Sequence, residues 1–157
     1  MIYLKIIFVE EVMQIRCKKL RQNAKLPEYK TRSSAGADLY AALDGPITLA
    51  PMDRAVIPTG IAVSPEREDV VLMIAARSGL AVKQGVTLSN GVGIIDADYR
   101  GEIAVGVVNL GKESVTLSPG DRIAQLLVLP VCAGIFVEAD ILDDTDRGTG
   151  GFGSTGV

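Results

Sequence analysis

The chain has 157 residues and a formal net charge of −3, with two cysteines, no histidine and no tryptophan. That length suits one domain with a core of its own, and a mildly acidic balance argues against nucleic-acid partners and against an anionic membrane surface. The lack of histidine excludes Ser-His-Asp and Cys-His nucleophile systems and His-ligated zinc, so acid–base work near neutral pH falls to carboxylate, Lys, Tyr or Cys.

Met1 to Val9 is apolar apart from Lys5. It is shorter than the ~20 residues of a membrane span, and it has neither the basic leader nor the cleavage site of a signal peptide. Residues 1–12 read as an extension, with an extra edge strand as the alternative. From Met13 the chain reads as short strands between turn residues. Ile15 and Cys17 alternate against polar neighbours, and Lys25 to Ser34 is a polar loop. Strands are expected over Asp38–Ala42, Ile47–Leu49, Ala55–Ile57 and Ile61–Val63, the last two flanking the turn-forming Pro58-Thr59-Gly60. Val70–Ala76 is a continuous apolar run, as in a strand buried on both faces. Ser78–Lys83 suits one helical turn. Strands are then expected over Ile103–Leu110, Val115–Leu117, Ile123–Leu129 and Ile135–Leu142. Turn signals about every ten residues and no long amphipathic helix indicate an all-β sandwich or barrel. With aromatics at 4%, its core must be Val, Ile, Leu and Ala. Cys17 and Cys132 lack CxxC spacing and read as buried free thiols of a reducing cytoplasm, with a lone disulfide as the alternative.

Two stretches carry chemistry. In Ser89 to Glu102, an Asn90-Gly91 pair between apolar runs is a hairpin signal, followed by Asp96 after an Ile94-Ile95 pair and by Tyr99-Arg100. From Asp143 the chain turns acidic, then Gly-rich from Arg147 to Val157. Such a tail is usually a disordered end. Yet Gly-rich backbone with Ser, Thr and Arg can wrap phosphate. Phe152 in it offers a stacking face for a base, worth roughly 1–3 kcal/mol.

Five motifs stand in order: Ala35-Gly36-Ala37-Asp38-Leu39-Tyr40-Ala41-Ala42, Arg77-Ser78-Gly79-Leu80-Ala81, Gly93 to Glu102, Pro119-Gly120-Asp121-Arg122-Ile123-Ala124-Gln125-Leu126, and the tail. Together they resemble the trimeric dUTPases (deoxyuridine triphosphate nucleotidohydrolases) over roughly Met13 to Val157. The resemblance implies a jelly-roll-like β domain over residues 13–142, a homotrimer with active sites at subunit junctions, and an arm over residues 143–157 that closes each site. The reaction would be Mg²⁺-dependent hydrolysis of dUTP to dUMP and pyrophosphate, which keeps uracil out of DNA and supplies dUMP for thymidylate.

Residue by residue, Asp96 matches the water-activating carboxylate, and Asp38 one that holds the metal hydration shell through water. Arg77, Ser78 and Gly79 match phosphate contacts, as do Gln125 and Arg147. In the tail, Ser154 and Thr155 match phosphate donors beside Phe152 and Gly153. Asn90, with the backbone of Gly93, Ile94 and Ile95, matches the uracil reader, and Tyr99 the ring that packs under deoxyribose. Asp121 and Arg122 suggest a structural ion pair. The related dCTP deaminases are the nearest rival; a nucleotide-binding module without turnover and a purely structural β trimer are further ones.

Overall fold

The structure, a computed structural model, describes residues 13–151. Expectations for residues 1–12 and for Phe152, Gly153, Ser154 and Thr155 lie outside that range. Eleven strands and one short helix follow one another. They are β1 (Ile15–Lys19), β2 (Ala37–Tyr40), β3 (Ile47–Leu49), β4 (Arg54–Pro58), β5 (Ile61–Pro65), β6 (Val70–Ala75), α1 (Ser78–Gln84), β7 (Val86–Leu88), β8 (Gly93–Ile95), β9 (Ala104–Asn109), β10 (Val115–Leu117) and β11 (Arg122–Pro130).

Every strand pairing is antiparallel. The main sheet has the order β2-β11-β6-β8, and a second has the order β4-β9-β7. Two-stranded ribbons, β1-β5 and β10-β3, complete the frame. The all-β, jelly-roll-like expectation holds. Leu39, Ile57, Ile61, Leu72, Ile103, Leu117 and Ile123 are fully buried between the layers. An aliphatic core is what the scarcity of aromatics demands, and each such side chain contributes roughly 1.5–3 kcal/mol of transfer free energy.

Four expectations need correction. Along β6, Val70, Leu72 and Ile74 are buried, while Val71, Met73 and Ala75 are only half-covered. The strand has one core face, and its apolar sequence hides the alternation. The Asn90-Gly91 turn forms, with Gly91 at φ +75°, but it does not close a hairpin. β7 pairs with β9, and β8 pairs with β6. The stretch is a corner where the chain leaves one sheet for the other. Pro58-Thr59-Gly60 is a second such corner, since β4 pairs with β9 and β5 with β1.

Ile135–Leu142 forms no strand. Ile135, Phe136, Val137, Ile141 and Leu142 are all at least 80% exposed. The segment has strand-forming residues but pairs with none of the sheet edges among the described residues. Finally, both cysteines are free, but Cys132 is exposed and Cys17 only half-buried.

Candidate active site

β6 ends at Ala75, and the next residues carry Arg77 and Ser78 into α1. Gly85 stops the helix in the left-handed conformation, with its N–H donating to the Ala81 carbonyl at 3.0 Å. A glycine takes that conformation without strain. β11 runs between β2 and β6, so Gln125 faces Asp38 on one side and Ala75 on the other. The sheet register thereby brings three distant motifs together. Asp38, Arg77, Ser78, Gly79 and Gln125 line one cleft, with Lys30, Ser34, Gly36 and Arg122 completing it.

The electrostatic centre of this cleft is Asp38, which is 7% exposed. Arg77 Nε donates to its Oδ1 at 2.9 Å, and Arg122 Nη1 donates to its Oδ2 at 3.0 Å. Arg77 Nη1 also donates to the Arg122 carbonyl at 3.3 Å. The Arg77 fork is therefore fixed along one edge, while its Nη2 has no partner among the described residues. One carboxylate between two guanidiniums leaves the cluster positive. The expected Asp121–Arg122 ion pair is not formed. Arg122 turns to Asp38, and the Asp121 carboxylate accepts the Ser118 N–H at 2.7 Å within its own turn.

Gln125 donates from Nε2 to the Ala76 carbonyl at 3.0 Å. A Cβ on Gly36 would lie 2.9 Å from Gln125 Oε1, so a larger residue there would push this side chain out of its place. The loop is clipped to β2 by paired backbone hydrogen bonds between Glu28 and Asp38. Beside them Glu28 accepts from Lys30 Nζ at 2.5 Å and from Tyr40 OH at 3.0 Å. Those bonds, Lys30 first, hold the Glu28 carboxyl below the usual range. Lys30, Ser34 and Arg122 were missed as cleft residues from sequence. The run Lys30-Thr31-Arg32-Ser33-Ser34 just before the Asp38 motif was the available signal.

The second group of residues lies elsewhere. Asn90, Asp96 and Tyr99 are exposed on the sheet-switching corner and on the loop after β8. Gly93 is buried against Ile74, where a Cβ would come within 3.0 Å of the Ile74 Cβ. Ile94 is exposed, and Ile95 is half-buried. The Asp96 carboxylate accepts no hydrogen bond among the described residues, whereas its carbonyl accepts the Tyr99 N–H at 3.0 Å. Arg100 ties the loop by donating to the Ala97 and Tyr99 carbonyls at 2.6 and 3.0 Å. None of these residues lines the Asp38–Arg77 cleft. Arg147 is separate again, with its Nε donating to the Gly150 carbonyl at 2.9 Å in a local turn.

A profile of the dUTPase family matches residues 22–156. The chain belongs to the dUTPase family. It is 54% identical over 133 residues to the deoxyuridine 5'-triphosphate nucleotidohydrolase of Desulfitobacterium hafniense, spanning 85% of this chain and 88% of that one. It is 49% identical over 139 residues to the Treponema denticola protein of the same description, spanning 88% and 96%. Among solved structures, a Staphylococcus bacteriophage 80alpha dUTPase with dUPNHPP superposes with a TM-score of 0.83. That likeness has 29% identity and covers 92% of this chain and 99% of the phage chain. Membership of a dUTPase family makes the protein an enzyme, and both residue groups described above fall inside the matched span. Among the described residues no helix is long and apolar enough to cross a membrane.

Proposed function

We propose that the protein hydrolyses dUTP to dUMP and pyrophosphate. The observation that carries this is the family match across residues 22–156, which contains the arginine cleft and the Asn90–Tyr99 corner. In the proposed mechanism Asp96, exposed and with no hydrogen-bond donor to its carboxylate among the described residues, accepts a proton from water. That water attacks the α-phosphorus. A new P–O bond forms, the α–β anhydride bond breaks, and pyrophosphate leaves. Arg77, Ser78, Gly79 and Gln125 bind phosphate oxygens, with the planar Arg77 fork pre-oriented by Asp38. Arg122 adds to the positive field of the cleft, whereas the Lys30 charge is paired with Glu28.

Asn90 and the backbone of Gly93 to Ile95 read the uracil edge. A wall of backbone leaves no room for a C5 methyl, and mismatched donors reject cytosine. Tyr99 packs under the deoxyribose. Arg147, Phe152, Gly153, Ser154 and Thr155 close the site from the arm.

Magnesium is the cofactor of this reading. Among the described residues no three His, Cys, Asp or Glu side chains converge, and each Asp38 oxygen already accepts from an arginine. That donor set does not suit a metal caged by protein. It suits Mg²⁺ that keeps its waters and takes its other ligands from substrate phosphates. When bound there, the metal supplies charge neutralisation of the triphosphate. Asp38 is accordingly a positioning residue for Arg77 before it is anything to the metal.

The assembly is a homotrimer in this reading. Two features support association between copies. First, the phosphate cleft and the base-reading corner occupy separate places on one protomer. Second, the protomer carries both an exposed apolar segment and an apolar groove. Ile135, Val137, Ala139 and Ile141 would share one face of an extended segment, with Glu138 and Asp140 on the other. The groove runs beside β1, lined by Ile15, Cys17, Leu26, Val63 and Val128, and among the described residues β1 pairs with β5 alone. Its exposed Arg16 and Lys18 complement the acidic face of the segment.

Taken with the free thiols, this reading places the enzyme in the cytoplasm. Pyrophosphate release from dUTP with Mg²⁺, measured beside dCTP with ammonia as a second readout, tests the function. Ammonia from dCTP without cleavage of dUTP would favour the deaminase alternative.

A further inference from the structure

Arg21 lies outside every motif that carries the proposed chemistry, and one residue before the family-matched span. Yet its planar fork reaches 81 residues along the chain. Nε donates to Glu102 Oε1 at 2.8 Å and Nη2 to Glu102 Oε2 at 3.2 Å. The Gly60 N–H adds a third donor to the same carboxylate, at 2.9 Å to Oε1. Gly60 is fixed in turn. Its carbonyl accepts the Leu20 N–H at 2.7 Å, and at φ +71° a Cβ there would lie 2.7 Å from the Ala24 side chain.

Glu102 is also the residue that seats Tyr99. The Tyr99 hydroxyl donates to the Glu102 carbonyl at 3.1 Å. The ring folds over Gly101, where any Cβ would overlap it. Immediately after, Ile103 is fully buried, with its N–H donating to the Ile61 carbonyl at 2.8 Å and its carbonyl accepting the Thr59 hydroxyl at 2.5 Å. Glu102 is thus held at its peptide by the core through Ile103 and at its carboxylate by the Arg21 fork. The Tyr99 ring hangs from that peptide and is 45% exposed.

We propose that Arg21 is a specificity-determining positioning residue, which holds the Tyr99 ring through Glu102 at the height that admits deoxyribose and excludes ribose. The inference rests on Tyr99 packing against the sugar, as in the reading above. An ion pair with side chains 40% and 27% exposed adds little to folding stability. What a bidentate pair adds is geometry. A ring that separates sugars by one hydroxyl must be held to a fraction of an ångström. Loss of Arg21 therefore acts on selectivity more than on stability.

The experiment measures kcat/KM for dUTP and for UTP, with Mg²⁺, in the full chain and in Arg21→Ala, Arg21→Lys and Glu102→Gln. Thermal melting is followed alongside. The dUTP-to-UTP preference is expected to fall about tenfold in Arg21→Ala, the size of one well-placed contact in substrate discrimination. Glu102→Gln should fall comparably, and Arg21→Lys, with charge but no fork, should be intermediate. The double variant Arg21→Ala/Glu102→Gln should be no worse than the single ones, because partners of one interaction are not additive. Should Arg21→Ala not fold, the lysine and glutamine variants carry the test. An unchanged preference in all folded variants, beside a wild type that prefers dUTP, overturns the inference alone. A wild type that cuts UTP as well as dUTP overturns the reading of Tyr99 and the inference with it.

Discussion

Asp38 and Arg77 meet at 2.9 Å across the top of the main sheet, with Arg122 on the other carboxylate oxygen at 3.0 Å. Asp38 sits in β2 and Arg77 just beyond β6, and β11 lies between those strands. The contact therefore depends on the whole sheet being in register. A buried carboxylate with two charged donors is expensive to disturb, since hydrogen bonds to charged groups contribute about 1.5–3 kcal/mol each.

Asp38→Asn should loosen the Arg77 fork. We expect a rise in KM for dUTP of about tenfold, and a loss of stability of roughly 1–3 kcal/mol in urea denaturation. A fall in kcat alone, with KM unchanged, would point instead to a role at the reacting centre.

Asp96→Asn should behave differently. General-base help is typically worth about 10²–10⁴ in rate. We expect kcat to fall at least about 100-fold while dUTP binding by calorimetry persists. Loss of binding with kcat unchanged would remove Asp96 from its proposed role.

Glu102 gives a pH dependence with a defined sign. Its carboxyl is held below the usual range, chiefly by the Arg21 hydrogen bond, which outweighs desolvation, with smaller help from the Gly60 N–H and the Arg21 charge. A depressed folded pKa adds stability that is fully present above the unfolded value, about 4.3. That contribution is lost as pH falls through the folded value. Between about pH 5 and about pH 3 the wild type should lose more stability than Glu102→Gln, which has nothing to protonate there. Chemical denaturation at several pH values measures it. Parallel losses in the two proteins would show that the clamp adds nothing to the acid limb.

The exposed segment and the arm should separate assembly from turnover. Ile135→Asp with Val137→Asp places charge on the apolar face and should shift the mass in light scattering to that of one chain, with activity lost. Deleting residues 147–157 should abolish turnover and leave the assembled mass intact. A deletion variant that still turns over dUTP would remove the arm from the site.

Much of this was legible in the sequence, for reasons that are local. Turn residues at short intervals and an aliphatic composition are sufficient for an all-β body, and Ile47–Leu49 and Val115–Leu117 fall where their flanking turns place them. Pairing was not legible. Asn90-Gly91 signals a turn, but whether its flanks pair with each other or with distant strands is decided by β6 and β9, far along the chain. Ile135–Leu142 has strand composition, yet a strand needs an edge, and composition does not say which chain supplies it. At the site, motif order pointed to Asp38, Arg77 and Gln125. The Arg122–Asp38 pairing escaped because Asp121 is the nearer carboxylate in sequence, although it is already used by the Ser118 N–H.

The most direct test of the whole account is pyrophosphate release by the purified chain with Mg²⁺, from dUTP beside dCTP, dTTP and UTP. The account predicts cleavage of dUTP far faster than of the other three. Equal cleavage of all four, or none of dUTP, would contradict it.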